Sequence, residues 1–234
     1  MSEGFDYKEM AQIYKELHQN KVELLGTYGG DKTHACSAWT STSRNLSDDK
    51  AARIPQLLKM LASNQHGTPF EKSAIHFLVT TDIASHIHLI KHRIGVSVNG
   101  ESARYKELKD NKFYVPQDWP EEEVLLYVKH LEESLSSYHS TIERLVARGM
   151  DKKRAKESAR LYLPYGNQLQ ADVMFNFRSF YHFLTLRYST HAQVEIRELA
   201  RKMLEMVDQT GEFEMTLRAF GLKIEDGTLA GPFT

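Results

Sequence analysis

The spacing of apolar positions changes along the chain, and each change marks an element. The first ~20 residues read as a helical lead-in, followed by VELLGTYGG, a strand that ends in a Gly-Gly turn. Ser47, Asp48 and Asp49 are N-cap types that open a helix toward Asn64, with Leu57, Leu58 and Leu61 on its inner side. Pro55 disturbs the first turn of that helix, because proline removes an amide donor. HGTPFEK, 66–72, is a loop by its Gly and Pro; AIHFLVTT then alternates as a strand, and IASHIHLIKHR forms a helix. GVSVNGESARY, 95–105, reads as an irregular loop ending in a strand.

The second half is more regular. Pro120 and three glutamates suit a helix start, and Val128, Leu131, Leu135, Tyr138, Ile142 and Leu145 then step by threes and fours until Gly149. A second helix runs from Asp151 and stops before Pro164. QLQADVMFNF, 168–177, is a strand, and RSFYHFLTLRY after it is an apolar helix with an arginine at each end. Thr190 with Gln193 reads as a capping box for a last helix to about Val207. Long helices with a few separated strands predict the α+β class. With no internal repeat and no low-complexity linker, residues 1–234 read as a single domain.

Composition narrows the partners. The 234 residues carry 30 Lys plus Arg against 31 Asp plus Glu, a formal charge of −1, so no global field draws nucleic acid or an anionic membrane. Apolar runs such as Val124–Val128 are too short to span a bilayer, and MSEGFDYKEM has no signal-peptide character. The single cysteine, Cys36, rules out an intramolecular disulfide and reads as a small buried residue rather than an activated thiol. The expectation is a cytoplasmic protein with no nucleic-acid or membrane partner.

Some cations are placed unusually. Lys91, His92 and Arg93 close a helix, Arg104 follows a loop rich in Ser, Asn and Gly, and Arg178 and Arg187 flank an apolar helix. Ser97, Asn99, Ser102 and amides near Gly100 could complete a phosphate cradle. Equally, Arg178 and Arg187 could pair with carboxylates such as Glu195, leaving 95–104 a surface loop. His86, His88 and His92 lack a third ligand at metal-site spacing, so no metal is expected. No GxSxG, Walker A or GxGxxG occurs.

KHRIGVSVNGESARY, 91–105, resembles the signature R-H-R-x-x-S-x-N-x-x-S-x-R of flavin-dependent thymidylate synthases. HGTPFE, 66–71, is similar to that family's H-x-T-P-F-E loop. NFRSFYHFLTLRYSTHAQVEI, 176–196, resembles its N-x-R-S and L-R-x-x-x-H-A-Q-x-E-I region. The resemblance covers about residues 21–207. It implies long helices around a small mixed or antiparallel sheet, and a homotetramer with sites shared between subunits. The implied reaction is reductive methylation of dUMP at C5, with methylenetetrahydrofolate as carbon donor and NADPH-reduced FAD as hydride source. It implies FAD contacts at Thr68, Arg93, Asn176 and Arg178, with His66, Glu71, Lys91, His92 and His182 around them. Nucleotide contacts fall at His88, Lys91, Gly100, Glu101, Ser102, Ala103, Arg104, Gln170 and Arg187. Arg187 would be catalytic, stabilising an N3-ionised uracil.

The sequence departs from the family pattern in places. Lys91 replaces the first signature arginine, a point charge instead of a planar fork. One extra residue lies between Arg93 and Ser97. His88 stands where glutamine is frequent, Gln170 where an arginine often meets the nucleotide phosphate, His182 where asparagine is usual, and Lys72 where histidine follows PFE. These departures raise two alternatives: the same chemistry on UMP or dCMP, and a non-catalytic nucleotide-binding relative.

Overall fold

The computed structural model describes residues 6–102 and 112–234. In chain order the elements are α1 (Tyr7–Leu17), β1 (Lys21–Tyr28), α2 (Asp31–Trp39), α3 (Asp48–Ala52), α4 (Ile54–Ser63), β2 (Ala74–Asp82), α5 (Ile83–Ile90) and β3 (Val96–Gly100). They continue with α6 (Glu121–Ala147), α7 (Lys152–Ala159), β4 (Gln168–Phe175), α8 (Phe177–Arg187), α9 (Val194–Gln209) and α10 (Glu214–Ala219). This is the α+β class, with one four-stranded sheet in the order β1-β2-β4-β3. Neighbours run antiparallel. Asn20, just before β1, bonds Asp82 at the end of β2 (2.9 Å). The Asn176 amide after β4 reaches Gly95 O before β3 (3.3 Å), and the Glu101 amide after β3 reaches Gln170 O near the start of β4 (2.8 Å).

Two compact units can be distinguished, one of Met1–Lys21, Thr80–Ile87 and Gly100–Ala171, the other of Val22–Val79, His88–Asn99 and Asp172–Thr234. In the first, α6 packs on α1 and α7. Its stripe Val124, Val128, Leu131, Leu135, Tyr138 and Ile142 is buried together with Tyr14 of α1, Phe113 and Ala155 of α7. Each large apolar side chain so buried contributes about 1.5–3 kcal/mol. Leu145, at the end of the stripe, is only half-buried.

The second unit has an aromatic core. Phe70, Phe77, Phe175, Phe177, Phe180, Phe183 and Phe213 are all buried, and Phe177 stacks on Phe213 at 5.8 Å. Fully buried among these rings is a histidine, His34 of α2. Its Nδ1 lies 3.1 Å from Thr216 Oγ1 and its Nε2 3.0 Å from Ser73 Oγ. Thr216 Oγ1 donates to Asp31 Oδ1 (2.6 Å), so it must accept from His34 Nδ1–H. His34 Nε2 is then the acceptor for the Ser73 hydroxyl, whose oxygen in turn accepts from the Phe177 amide at the start of α8 (3.2 Å). Burial holds His34 neutral, lowering its pKa to about 4. The Asp31 carboxylate also accepts from the Met215 and Thr216 amides (both 2.8 Å), capping the first turn of α10 from a distance. Gly30 makes this approach possible: its φ is 142°, and a Cβ there would stand 2.3 Å from Glu212 O.

Several expectations need correction. The helix toward Asn64 is two helices, because Ser47 caps only α3 while Pro55 sits in the first turn of a fresh helix, α4. Where the start of 95–105 was expected to be an irregular loop, Val96–Gly100 form a strand, β3; the strand expected at its end falls on 103–105, outside the described residues. The Thr190–Gln193 capping box is absent. Gln193 is itself the N-cap of α9 and makes no side-chain cap bond, its amide going to Glu195 instead (2.7 Å). Two helices, α2 and α10, stand where the apolar pattern predicts none. The last residues are tied down, with the Phe233 amide donating to Tyr188 O and the Thr190 amide to Phe233 O (both 2.8 Å).

Candidate active site

Two loops and the start of α8 build the first part of the site in the second unit. After α4 the chain turns at Gln65, His66 and Gly67 into a 3-10 turn, Thr68–Glu71, with Pro69 near its start. A Cβ on Gly67 would lie 2.7 Å from Arg178 Nε, so a larger residue would push the guanidinium aside from its place across this loop. Arg178 Nη1 donates to Glu71 Oε1 at 2.6 Å. The pair is exposed and contributes little to stability, which leaves the arginine available to an anion. Asn176 caps α8 by accepting from the Ser179 amide (2.9 Å), and the Ser179 hydroxyl donates to Ile94 O (2.8 Å). Gly95, at φ 67°, fits against both: a Cβ would stand 2.2 Å from Ser179 Oγ and 2.5 Å from Asn176 Nδ2.

These groups surround a cavity of about 900 Å³ whose walls include His66, Glu71, Asn176, Arg178 and His182. A second cavity of about 760 Å³, with Trp39, Ser41 and Thr68 among its walls, shares His66, Gly67 and Arg178 with the first. The structure thus gathers Thr68, His66, Glu71, Asn176, Arg178 and His182 around two adjoining hollows. Lys91 and Arg93 line neither; they are exposed on the turn after α5.

At the other end of α8, Arg187 Nε donates to His92 Nε2 at 3.1 Å. His92 therefore carries its proton on Nδ1 and is neutral. Burial, then the positive charges of Arg187, His182 and His88, push its pKa down to about 4. The His182 ring lies 5.9 Å away and the Phe183 edge 5.1 Å. Burial also lowers the pKa of Arg187. The pairing of Arg178 with a carboxylate is real, but the partner is Glu71, not Glu195. Arg187 leans on a neutral imidazole, and a half-buried guanidinium so held favours an incoming anion.

Among the nucleotide positions, Gly100, Glu101, Ser102 and Gln170 belong to the first unit. Gln170 Nε2 reaches Thr80 Oγ1 (3.4 Å), and its amide reaches Glu101 Oε2 (3.4 Å). Ala103 and Arg104 lie outside the described residues. His88 is half-buried in α5. Among the described residues no group of three or more His, Cys, Asp or Glu could hold a metal. Cys36 is half-buried on α2, not buried as its size suggested. No helix among the described residues is long and apolar enough to cross a membrane.

Residues 23–210 match the family model described as thymidylate synthase complementing protein. The chain belongs to that family. Its relatives include flavin-dependent thymidylate synthases of Streptomyces coelicolor (29% identical, covering 82% of this chain and 85% of the relative) and Thermosipho melanesiensis (30%, covering 82% and 87%). Among solved structures, a UMP/dUMP methylase, PolB, from Streptomyces cacaoi bound with 5-Br dUMP superposes with a TM-score of 0.71 at 28% identity, covering 86% of this chain and 94% of that one. The same methylase bound with 5-Br UMP gives 0.69 at 27% identity. A member of this thymidylate synthase family is an enzyme of the methyltransferase class.

Proposed function

We propose that the chain is a flavin-dependent thymidylate synthase that methylates dUMP at C5, taking the carbon from methylenetetrahydrofolate and the hydride from FAD reduced by NADPH. The observation that carries this reading is Arg187, a half-buried guanidinium oriented by a neutral histidine at the end of the helix whose start lines the adjoining cavities.

The residues present fit a flavin dinucleotide. The first cavity is near the upper end of ordinary ligand-site volumes. Gly67 leaves room for Arg178, and Arg178, Asn176, Thr68 and His66 together offer donors suited to a diphosphate and to the polar edge of an isoalloxazine. When bound, the flavin supplies hydride chemistry that no side chain can.

The protein's own work is electrostatic. Arg187 would sit against the pyrimidine and stabilise negative charge at N3–C4, making C5 more nucleophilic without an enzyme thiol. His92 would hold the Arg187 Nε side so that the terminal nitrogens face the substrate. Ser102, Ala103 and Arg104 would hold the nucleotide, with Gly100, Glu101, Gln170, His88 and Lys91 around it, and Arg93 would assist the cofactor. We further propose a cytoplasmic homotetramer whose subunits share sites. Light scattering of the purified protein tests the assembly, and a monomeric mass would refute it.

UMP as substrate is the second reading. It is favoured by the similarity to a methylase named for both UMP and dUMP, and by Gln170 standing where the family pattern often has a cation. The test is the visible spectrum of the purified protein before and after anaerobic NADPH, followed by turnover with dUMP, UMP and dCMP. A flavin that bleaches, with preferred turnover of dUMP, is the expected result. Preferred turnover of UMP would move the assignment to the second reading. Protein that takes up no FAD would sink both and leave a non-catalytic nucleotide-binding relative.

A further inference from the structure

Helix α4 ends through a left-handed residue that is not glycine. Gln65 has φ 57°, the only non-glycine at positive φ among the described residues. Glycine is the usual residue at such a helix end, and a long side chain there carries backbone strain. The backbone gives no reason for glutamine. The turn is closed by main-chain bonds alone: Gln65 N to Ala62 O (3.1 Å), His66 N to Leu61 O (2.9 Å) and Gly67 N to Gln65 O (2.9 Å). Nor is the side chain needed for packing, since it is exposed, and its amide makes no hydrogen bond to a described residue.

What the side chain does is line both cavities. It stands where the two meet, beside His66, Gly67 and Arg178. Strain kept at one position, without local return, points to a role in the site it borders. A dinucleotide that fills both hollows with its two ring systems must cross this shared wall with its linking diphosphate. Arg178 is there as a cation, and a neutral amide donor next to it adds a directional hydrogen bond without adding charge.

We propose that Gln65 is a binding residue for the dinucleotide cofactor, its side-chain amide donating to the diphosphate as the cofactor passes from one cavity to the other. The inference rests on the flavin reading above. The test compares wild type, Gln65→Gly and Gln65→Glu, each stripped of flavin, by thermal unfolding and by titration with FAD followed by flavin fluorescence. Gln65→Gly should unfold at a higher temperature, because the strain is relieved, yet bind FAD on the order of tenfold more weakly, the loss of one hydrogen bond to a charged group. Gln65→Glu keeps the length but puts a carboxylate against phosphate, and should bind more weakly still. FAD affinity unchanged in both variants, with wild type binding normally, overturns the proposal alone. Equal binding by wild type and Gln65→Glu overturns the diphosphate contact. Failure of wild type to bind FAD overturns the flavin reading, and this inference with it.

Discussion

Acid should weaken this fold through one residue that can be isolated by mutation. His34 is fully buried and neutral, with a pKa near 4 against 6.5 for the free side chain. Protonation would place a proton on Nε2, where the Ser73 hydroxyl now donates, and a charge among aromatic rings. The folded pKa lies below the unfolded one, so the unfolded chain takes up the proton first as pH falls. Stability from neutral His34 is present above about pH 6.5, declines between 6.5 and about 4, and is flat below that. Between pH 7 and pH 5 the loss comes to about 2 kcal/mol. The substitution His34→Gln keeps a donor and an acceptor at this position and removes the titrating group. Urea unfolding followed by the emission of Trp39 and Trp119, at pH 7 and pH 5 and one protein concentration, measures the change for wild type and His34→Gln. The wild type should lose about 2 kcal/mol more than the variant over this interval. His92 and Asp31 titrate in both proteins and largely cancel in the difference. Identical losses in the two proteins would refute the placement of a neutral His34 in the core.

The site gives three further expectations. Arg187→Ala should reduce turnover by about 10²–10³-fold, the scale of one lost charge-stabilising group, while most FAD remains bound; near-normal turnover would contradict its role. Gly67→Ala places a methyl 2.7 Å from Arg178 Nε, so FAD affinity should fall although far-ultraviolet circular dichroism stays unchanged. His92→Phe removes the acceptor for Arg187 but keeps a buried ring; kcat should drop more than FAD affinity, and loss of both in proportion would mean that His92 only holds the fold together.

The long elements were legible because they repeat a simple rule over many residues. The α6 stripe from Val128 to Ile142 is buried as its spacing demands, whereas the strand expected over 168–177 ends at Phe175, because Asn176 turns its side chain to the Ser179 amide and caps α8. Helix α2 escaped because Asp31–Trp39 has no apolar face: its buried residues are Asp31, His34 and Ala35, two of them polar, with side-chain hydrogen bonds to Ser73 and to α10, far away in sequence. Helix α10 escaped because it is six residues long and its cap, Asp31, lies far away in sequence. The motif around 66–71 and 176–187 could be read from the chain, but not what the glycine at 67 makes room for. That follows from Arg178 lying across the loop, a contact between residues more than a hundred positions apart. Gln65 is silent in the sequence for the same reason, since a backbone angle leaves no mark in residue type when the usual glycine is missing.

Helix α8 carries Arg178 in its first turn and Arg187 at its last residue, nine positions along one uninterrupted rod. At 1.5 Å and 100° per residue, their Cα atoms are set about 13.5 Å apart along the axis and two and a half turns around it. The helix is therefore a ruler and a protractor at once. Substitutions on its outer face leave both readings intact, whereas deleting a single residue between the two arginines would preserve a well-formed helix and swing one cation by about 100° relative to the other. Descendants of this chain can drift in composition along α8 far more freely than they can change its length.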